Sequence, residues 1–317
     1  VKCLRANLNE HFMTLRRDSL RVLGSLVFLS VSLTTSAQTS DTGAAPDMGK
    51  LLATGGVSEV EGAGGGGLTP WALITGYGSR DSYGANVHYT VLETQDYRLE
   101  SPGVAFGVLD RGEISFAQQQ FEGTDKALYG VRLRQNIVGL KLRVAGDAVY
   151  DQDRFLPQIA LGAQFKQDQG IAGLERLGVR NVTDLGAKND SGTDLYASAT
   201  KLFLDQSILA NLTLRWTKAN EFGLLGFGGN LHDDYSLEPE LSLAYLFTRN
   251  VAAGIEYRAK PHNLSIDDEH DAYDAFIAWF PNKHVSITLA YVDLGAIVNV
   301  FNPANQRGFY LSAQIGF

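Results

Sequence analysis

Gly308-Phe309-Tyr310-Leu311-Ser312-Ala313-Gln314-Ile315-Gly316-Phe317 closes the chain, and the fold turns on how this stretch is read. Successive side chains of a strand point to opposite faces. Phe309, Leu311, Ala313, Ile315 and Phe317 therefore share one face, and Tyr310, Ser312, Gln314 and Gly316 share the other. A strand of about ten residues crosses a bilayer when tilted. The decamer alone suits a membrane barrel and the edge of a soluble β-sandwich equally well, so the rest of the chain decides.

The alternation recurs upstream. Candidate strands run over 71–79, 83–92, 102–110, 112–120, 127–134, 139–149, 155–166, 194–203, 208–217, 237–247, 251–259, 272–280, 285–291 and 308–317. That predicts an all-β, closed antiparallel transmembrane barrel of about 14 strands, with twelve to sixteen compatible with the pattern. Short turns at 204–206, 248–250 and 281–283 alternate with long loops at 167–192, 218–235, 260–270 and 293–307. Short periplasmic turns and long outer loops are the outer-membrane arrangement. Ile171, Leu174 and Leu177 at helical spacing predict a short amphipathic helix in the first long loop. Tyr245, Phe247, Tyr257, Tyr273, Trp279 and Tyr291 fall on apolar faces near strand ends, where aromatic rings meet the two membrane interfaces. Only a closed barrel satisfies every backbone group of a sheet in lipid. The barrel is the better reading.

The front end is of another kind. Arg16, Arg17 and Arg21, an apolar run from Leu23 to Leu33, and Thr35-Ser36-Ala37 form an export signal with cleavage after Ala37, and Met13 is the expected start. Residues 1–37 are set aside from the fold. Cys3, the single cysteine, goes with them, which excludes a disulfide framework and a thiolate metal site. Of 27 basic and 35 acidic residues, five and two lie in that segment; the remainder holds 22 against 33, a net charge of −11. Such a balance argues against a nucleic-acid partner. Residues 38–70 form a flexible, Gly-rich segment, and the barrel is expected over 71–317. The run Gly64-Gly65-Gly66-Gly67 lacks a following Lys-Ser/Thr and is no phosphate loop. It reads as a hinge or as a partial plug in the barrel mouth, and the hinge is the favoured expectation.

If the apolar alternates face lipid, the lumen carries Arg132, Arg134, Lys141, Arg143, Asp147, Arg215, Glu238, Glu240, Glu256, Arg258 and Asp274. Arg or Lys on the lipid face costs about 2–4 kcal/mol at mid-bilayer, so the charges are expected inside. Arg132, Arg134, Lys141 and Arg143 would then make a basic ladder that favours anions in an open channel. Equally, ion pairs between the bases and the carboxylates would cross-link a closed lumen.

Three segments carry a resemblance: Gly65-Gly66-Gly67-Leu68-Thr69-Pro70-Trp71-Ala72, Gly146-Asp147-Ala148-Val149-Tyr150-Asp151, and Thr217-Lys218-Ala219-Asn220-Glu221-Phe222-Gly223-Leu224-Leu225-Gly226-Phe227-Gly228. Together they resemble a family of proteobacterial outer-membrane proteins known chiefly as a domain of unknown function, over roughly residues 50–317. The resemblance implies location and fold and supplies no substrate or catalytic residue. The terminal Phe309, Leu311, Ala313, Ile315 and Phe317 likewise resemble the signal by which outer-membrane barrels are recognised for assembly.

Rival chemistry is thin. His284-Val285-Ser286 resembles the His-x-Ser pair of outer-membrane lipid A deacylases, but Val298 stands where that family's Glu would lie, and His88 has no serine partner. His262, Asp267, Asp268, Glu269, His270 and Asp271 crowd one outer loop and His232, Asp233 and Asp234 another. Such loops can hold a hard divalent ion, yet a solvated face is the commoner meaning. The expectation is a monomeric outer-membrane barrel, not an enzyme, without cofactor or metal, acting as a passive pore for small solutes. Its partners would be the bilayer, lipopolysaccharide and the assembly machinery. The alternative is a non-conducting structural or surface-binding barrel, and a lipid hydrolase comes third.

Overall fold

Alternation with a period of two can bury one face of a sheet only if the sheet finds something to enclose. Here it closes on itself. The computed structural model describes residues 49–125, 128–267, 269–299 and 303–317. A two-residue ladder, β1 (Val57–Ser58) with β2 (Gly64–Gly65), is followed by β3 (Tyr83–Thr94), β4 (Tyr97–Val108), β5 (Gly112–Gly123), β6 (Arg132–Ala145), β7 (Gln158–Ala172) and β8 (Ser191–Phe203). Then come β9 (Ile208–Thr217), β10 (Ser236–Thr248), β11 (Val251–Arg258), β12 (Ala272–Asn282), β13 (Val285–Asp293) and β14 (Arg307–Gly316). Strands β3 to β14 form a closed barrel in which each pairs antiparallel with its sequence neighbours. β14 closes the ring on β3, with Leu311 opposite Val91 and Ile315 opposite Val87. Closure leaves no unpaired edge.

The barrel has twelve strands where about fourteen are expected, for two reasons. Residues 71–79 are not wall; they lie inside it, with Trp71, Leu73 and Ile74 buried. Residues 127–134 and 139–149 are not two strands, because β6 runs unbroken from Arg132 to Ala145. Gln135 to Val138, left between the two expected strands, pair with β5 as regularly as their neighbours do.

One end of the barrel carries the short connections 109–111, 204–207, 249–250 and 283–284, together with Phe317 and the longer 146–157. The opposite end carries 173–190, 218–235, 259–271 and 294–306, plus 95–96 and 124–131. The four long loops expected on one side are there. The expected helix over 171–177 is only a 3-10 turn at Glu175–Leu177.

The outer face is apolar, with Val87, Val104, Ile114, Leu140, Leu142, Leu161, Leu212, Leu243, Ile255, Ile277, Leu289 and Leu311 all exposed. Aromatic pairs ring it at both ends. Tyr83–Phe106 and Tyr245–Phe247 sit at the short-turn end, and Trp216–Tyr235, Tyr257–Tyr273 and Tyr291–Phe309 at the long-loop end. Among the described residues no helix is long and apolar enough to cross a membrane.

The core lies within the barrel. Nearly every residue from Thr54 to Gly78 is buried, so this segment fills the lumen and is not the hinge expected of it. The barrel proper begins at Tyr83, not at 71. The expected export signal over 1–37 lies outside the described residues.

Candidate functional site

The lumen segment is held by backbone groups, and that explains its glycines. Glu256 on β11 accepts from the amides of Gly67 and Leu68 at 2.6 and 2.7 Å, and from the hydroxyls of Thr69 and Ser242 at 2.8 and 2.7 Å. A Cβ at Gly66 would collide with the Glu256 carboxylate. Glycine there lets bare backbone reach the wall. Glu113 on β5 accepts from the amides of Gly64 and Thr75 at 2.9 and 2.8 Å. Lys141 on β6 pairs with Glu113 at 3.0 Å and donates to the carbonyls of Gly64 and Leu73 at 2.6 and 3.0 Å. Further attachments spread round the ring. The Trp71 indole donates to Ser242 at 2.9 Å, the Ala72 amide to Thr200 at 2.7 Å, and Ser101 and Gln119 donate to the Val60 carbonyl at 2.7 and 3.0 Å.

At the centre lies a closed ion network. Glu61 of the lumen segment pairs with Lys166, with Arg258 at 3.0 Å and with Arg215 at 3.5 Å. Lys166 also meets Asp194 at 2.7 Å, and Glu240 meets Arg215 and, at 3.4 Å, Arg258. Three cations therefore face three carboxylates with all six side chains almost wholly buried. Balanced charge is what makes burial tolerable, since an unpaired buried ion costs several kcal/mol.

Above and below the network the lumen turns apolar. At the short-turn end Val57, Trp71, Leu73, Val149, Leu202 and Phe280 surround a small void. Loop 146–157 closes this end. Arg143 bonds the Gly146 carbonyl at 2.7 Å and pairs with Asp147 at 2.8 Å and with Asp110. Burial works against the Asp147 carboxylate, but the amides of Tyr150 and Val149 and the Arg143 guanidinium outweigh it and hold its pKa below the usual value.

Of the eleven residues expected in the lumen, Lys141, Arg143, Asp147, Arg215, Glu240, Glu256, Arg258 and Asp274 are buried there. Glu238, on the inward face of β10, is half-buried. Arg132 and Arg134 are on the outer face, so no basic ladder of four exists. The reason is parity: β6 is continuous, and its even residues 132, 134, 140, 142 and 144 all point outward. Leu133 turns in because the lumen is apolar at that level, and Arg132 pairs with Glu122 outside at 3.1 Å. Glu61, Glu113, Lys166 and Asp194 were not expected. Inward parity on their strands marks the last three, whereas nothing in a Gly-rich stretch marks Glu61.

The hydrolase pair does not assemble. Ser286 is buried in the lumen, while His284 is exposed in the turn, its Nδ1 3.1 Å from the Gly316 carbonyl. At the long-loop end, oxygens of Glu221, Asp267 and Glu269 lie within 4.8 Å of one another. Lys260 joins them, 2.7 Å from Glu221. Burial, and then Glu269, push the Glu221 pKa up to about 8. Burial raises Glu269 well above the carboxylate range, and Glu221 and Glu269 hold Lys260 up against its own burial. Asp268 of the expected acidic cluster lies outside the described residues. Phe309, Leu311, Ala313, Ile315 and Phe317 share the exposed outer face of the last strand.

No curated protein matches the sequence. Among solved structures, a KdgM porin aligns at 8% identity and TM-score 0.43 over 73% of this chain and 99% of that one. A NanC porin aligns at 8% and 0.47 over 73% and 98%. Outer membrane phospholipase A from Escherichia coli aligns at 10% and 0.41 over 73% and 92%. Similarities this slight bear on neither substrate nor reaction. A family model described as "Protein of unknown function (DUF3034)" matches residues 54–314, taking in the lumen segment together with the wall, and the chain belongs to that family.

Proposed function

We propose that the protein is a monomeric barrel of the bacterial outer membrane, closed at rest, with the lumen segment 50–78 as the gate through which small solutes pass. The apolar outer face between two aromatic rings supports a place in lipid. By the same rule the short-turn end with Phe317 faces the periplasm and the long loops face outward, towards lipopolysaccharide. The outward face of Phe309, Leu311, Ala313, Ile315 and Phe317 is the element offered to the assembly machinery. Ser286 and His284 do not meet, and the proposed role calls on neither a cofactor nor a metal.

The observation that carries the gate is the lumen segment itself. Its hold is made largely of hydrogen bonds and ion pairs to wall side chains, with Glu113 and Glu256 each gathering several, so it is a hold that other hydrogen-bonding groups can replace. A freely open, anion-selective pore finds no support, since Arg132 and Arg134 face outward and Lys141 and Arg143 are engaged. The test is conductance in planar bilayers. The intact chain should be silent, and Glu113→Ala with Glu256→Ala should conduct, because both carboxylate anchors are then gone. A double variant that folds and stays silent favours the alternative, a barrel that never opens and works only at its outer loops.

A further inference from the structure

Under the outer loops the lumen contains a chamber of a different character from the rest of the interior. Leu92, Leu99, Phe121, Leu133 and Ile171 form its wall, and Val60 and Leu68 of the lumen segment form its floor. Loops roof it with Leu174, Leu185, Phe222, Leu224, Ile297 and Val298. The cavity is about 60 Å³ and nearly devoid of polar surface. Apolar cavities stay dry and take apolar guests; one of about 150 Å³ holds benzene or xenon.

A second observation comes from the roof backbone. Glu221, Phe222 and Val298 all line the chamber, and all have positive φ, at 44°, 60° and 58°. Side chains with a Cβ avoid this region, a β-branched Val above all. Such residues cost about 1–3 kcal/mol each and gather at ligand clamps and switches. Ala53, Leu109, Asp110 and Ser207 share the conformation away from the chamber, in turns. A guest larger than the cavity that lets these roof residues move would recover part of that strain.

The third observation is charge. Glu221 lines the chamber, and three cations reach its roof at Phe222: Lys166 donates to the Phe222 carbonyl at 3.0 Å, and Arg258 and Lys260 lie 4.3 and 5.5 Å from the ring centre. Lys260 is engaged with Glu221 at 2.7 Å and with the Leu294 carbonyl at 2.9 Å. Lys166 and Arg258 are likewise engaged, both with Glu61, so a charged head group entering the chamber meets counter-ions that are already paired.

We propose that this chamber is a binding site for a small, neutral, apolar molecule, one ring or a short alkyl chain, entering from the long-loop end. The site rests on the outward orientation of the loops given above, and it names the class of solute that the barrel would take.

The experiment uses the full chain in lipid nanodiscs with leucine methyls labelled for NMR. Toluene, hexanoate and hexylamine are the probes. Toluene should shift the methyls of Leu92, Leu99 and Leu133 saturably, while Leu140 and Leu142 on the lipid face drift linearly as toluene partitions. Leu133→Phe, which fills the void, should weaken toluene at least tenfold. Leu133→Ala, which enlarges it, should tighten binding, a sign that nonspecific partitioning would not give. Hexanoate or hexylamine binding at or below the toluene concentration overturns the assigned class. Absence of saturable shifts in both wild type and Leu133→Ala overturns the site. Neither result depends on conductance, so a wild type that conducts at rest but binds toluene would defeat the gate and leave the chamber standing.

Discussion

Glu61→Gln is the sharpest perturbation of the lumen segment, because it keeps the shape and removes one charge. Three cations would then be paired with two carboxylates, Asp194 and Glu240, with Glu59, held by Gln164, the one further buried carboxyl of the segment nearby. Glu61 meets Lys166, Arg258 at 3.0 Å and Arg215 at 3.5 Å, so no partner is spared. Breaking a buried pair by removing one member costs about 3–5 kcal/mol. Because Asp194 and Glu240 still hold the cations in part, the lower end, about 3 kcal/mol, is the expected loss. At about 1.4 kcal/mol per factor of ten, the equilibrium between docked and released segment shifts about 100-fold. Hydrogen exchange of peptides covering 57–77 reads this directly. Their amides should exchange about 100-fold faster in Glu61→Gln, while those of β12 and β13 keep their wild-type rates. Restoring neutrality with Lys166→Met in the same chain should recover most of the protection. Exchange within threefold of wild type, or a double variant looser than the single one, would refute the claim that this network holds the segment.

Other consequences are simpler to check. Gly66→Ala should speed exchange of the amides over 64–69, because its Cβ meets the Glu256 carboxylate and two buried amides lose their acceptor, at about 1–3 kcal/mol each. Arg132→Ala should change stability to urea by no more than about 0.5 kcal/mol, as its partner Glu122 is a surface one. Lys141→Ala, by contrast, strands buried Glu113 and should cost about 3 kcal/mol or more. The outer-loop cluster sets a pH dependence. Glu221 titrates at about 8 in the folded chain, against about 4.3 unfolded. The native state therefore keeps a proton that the unfolded state has given up, and stability falls as pH rises between those values. Unfolding midpoints should drop from pH 5 to pH 9, and Glu221→Gln should flatten the drop; a rise with pH would contradict the assignment.

Much of the wall is legible in the sequence because a sheet facing lipid obeys one rule, apolar outward on alternate residues. Leu140, Leu142 and Val144 against Lys141 and Arg143 show it plainly. The rule fails where the lumen itself is apolar. At Val131 and Leu133 the inward face is the greasy one, and polarity alone then puts Arg132 and Arg134 inside. Strand parity, carried along β6 from Leu140, corrects the error without coordinates, provided that Gln135 to Val138 are read as part of the same strand. The lumen segment is harder. Trp71 to Ser79 has strand-like composition, and a residue packed on the inside of a wall looks in sequence like a residue of the wall. The glycines of 64–67 indicate close approach, but they do not say to what. The chamber is invisible in the sequence because three of the long loops, the wall and the segment floor build it from residues spread between Val60 and Val298.

Single-channel recording of the full chain in planar bilayers, at neutral pH in 1 M salt, tests the closed lumen most directly. No steady conductance is expected from the intact protein, and discrete steps should appear when Glu113→Ala and Glu256→Ala free the lumen segment. Stable, long-lived steps from the wild-type chain would contradict the account, for then residues 50–78 would not close the barrel.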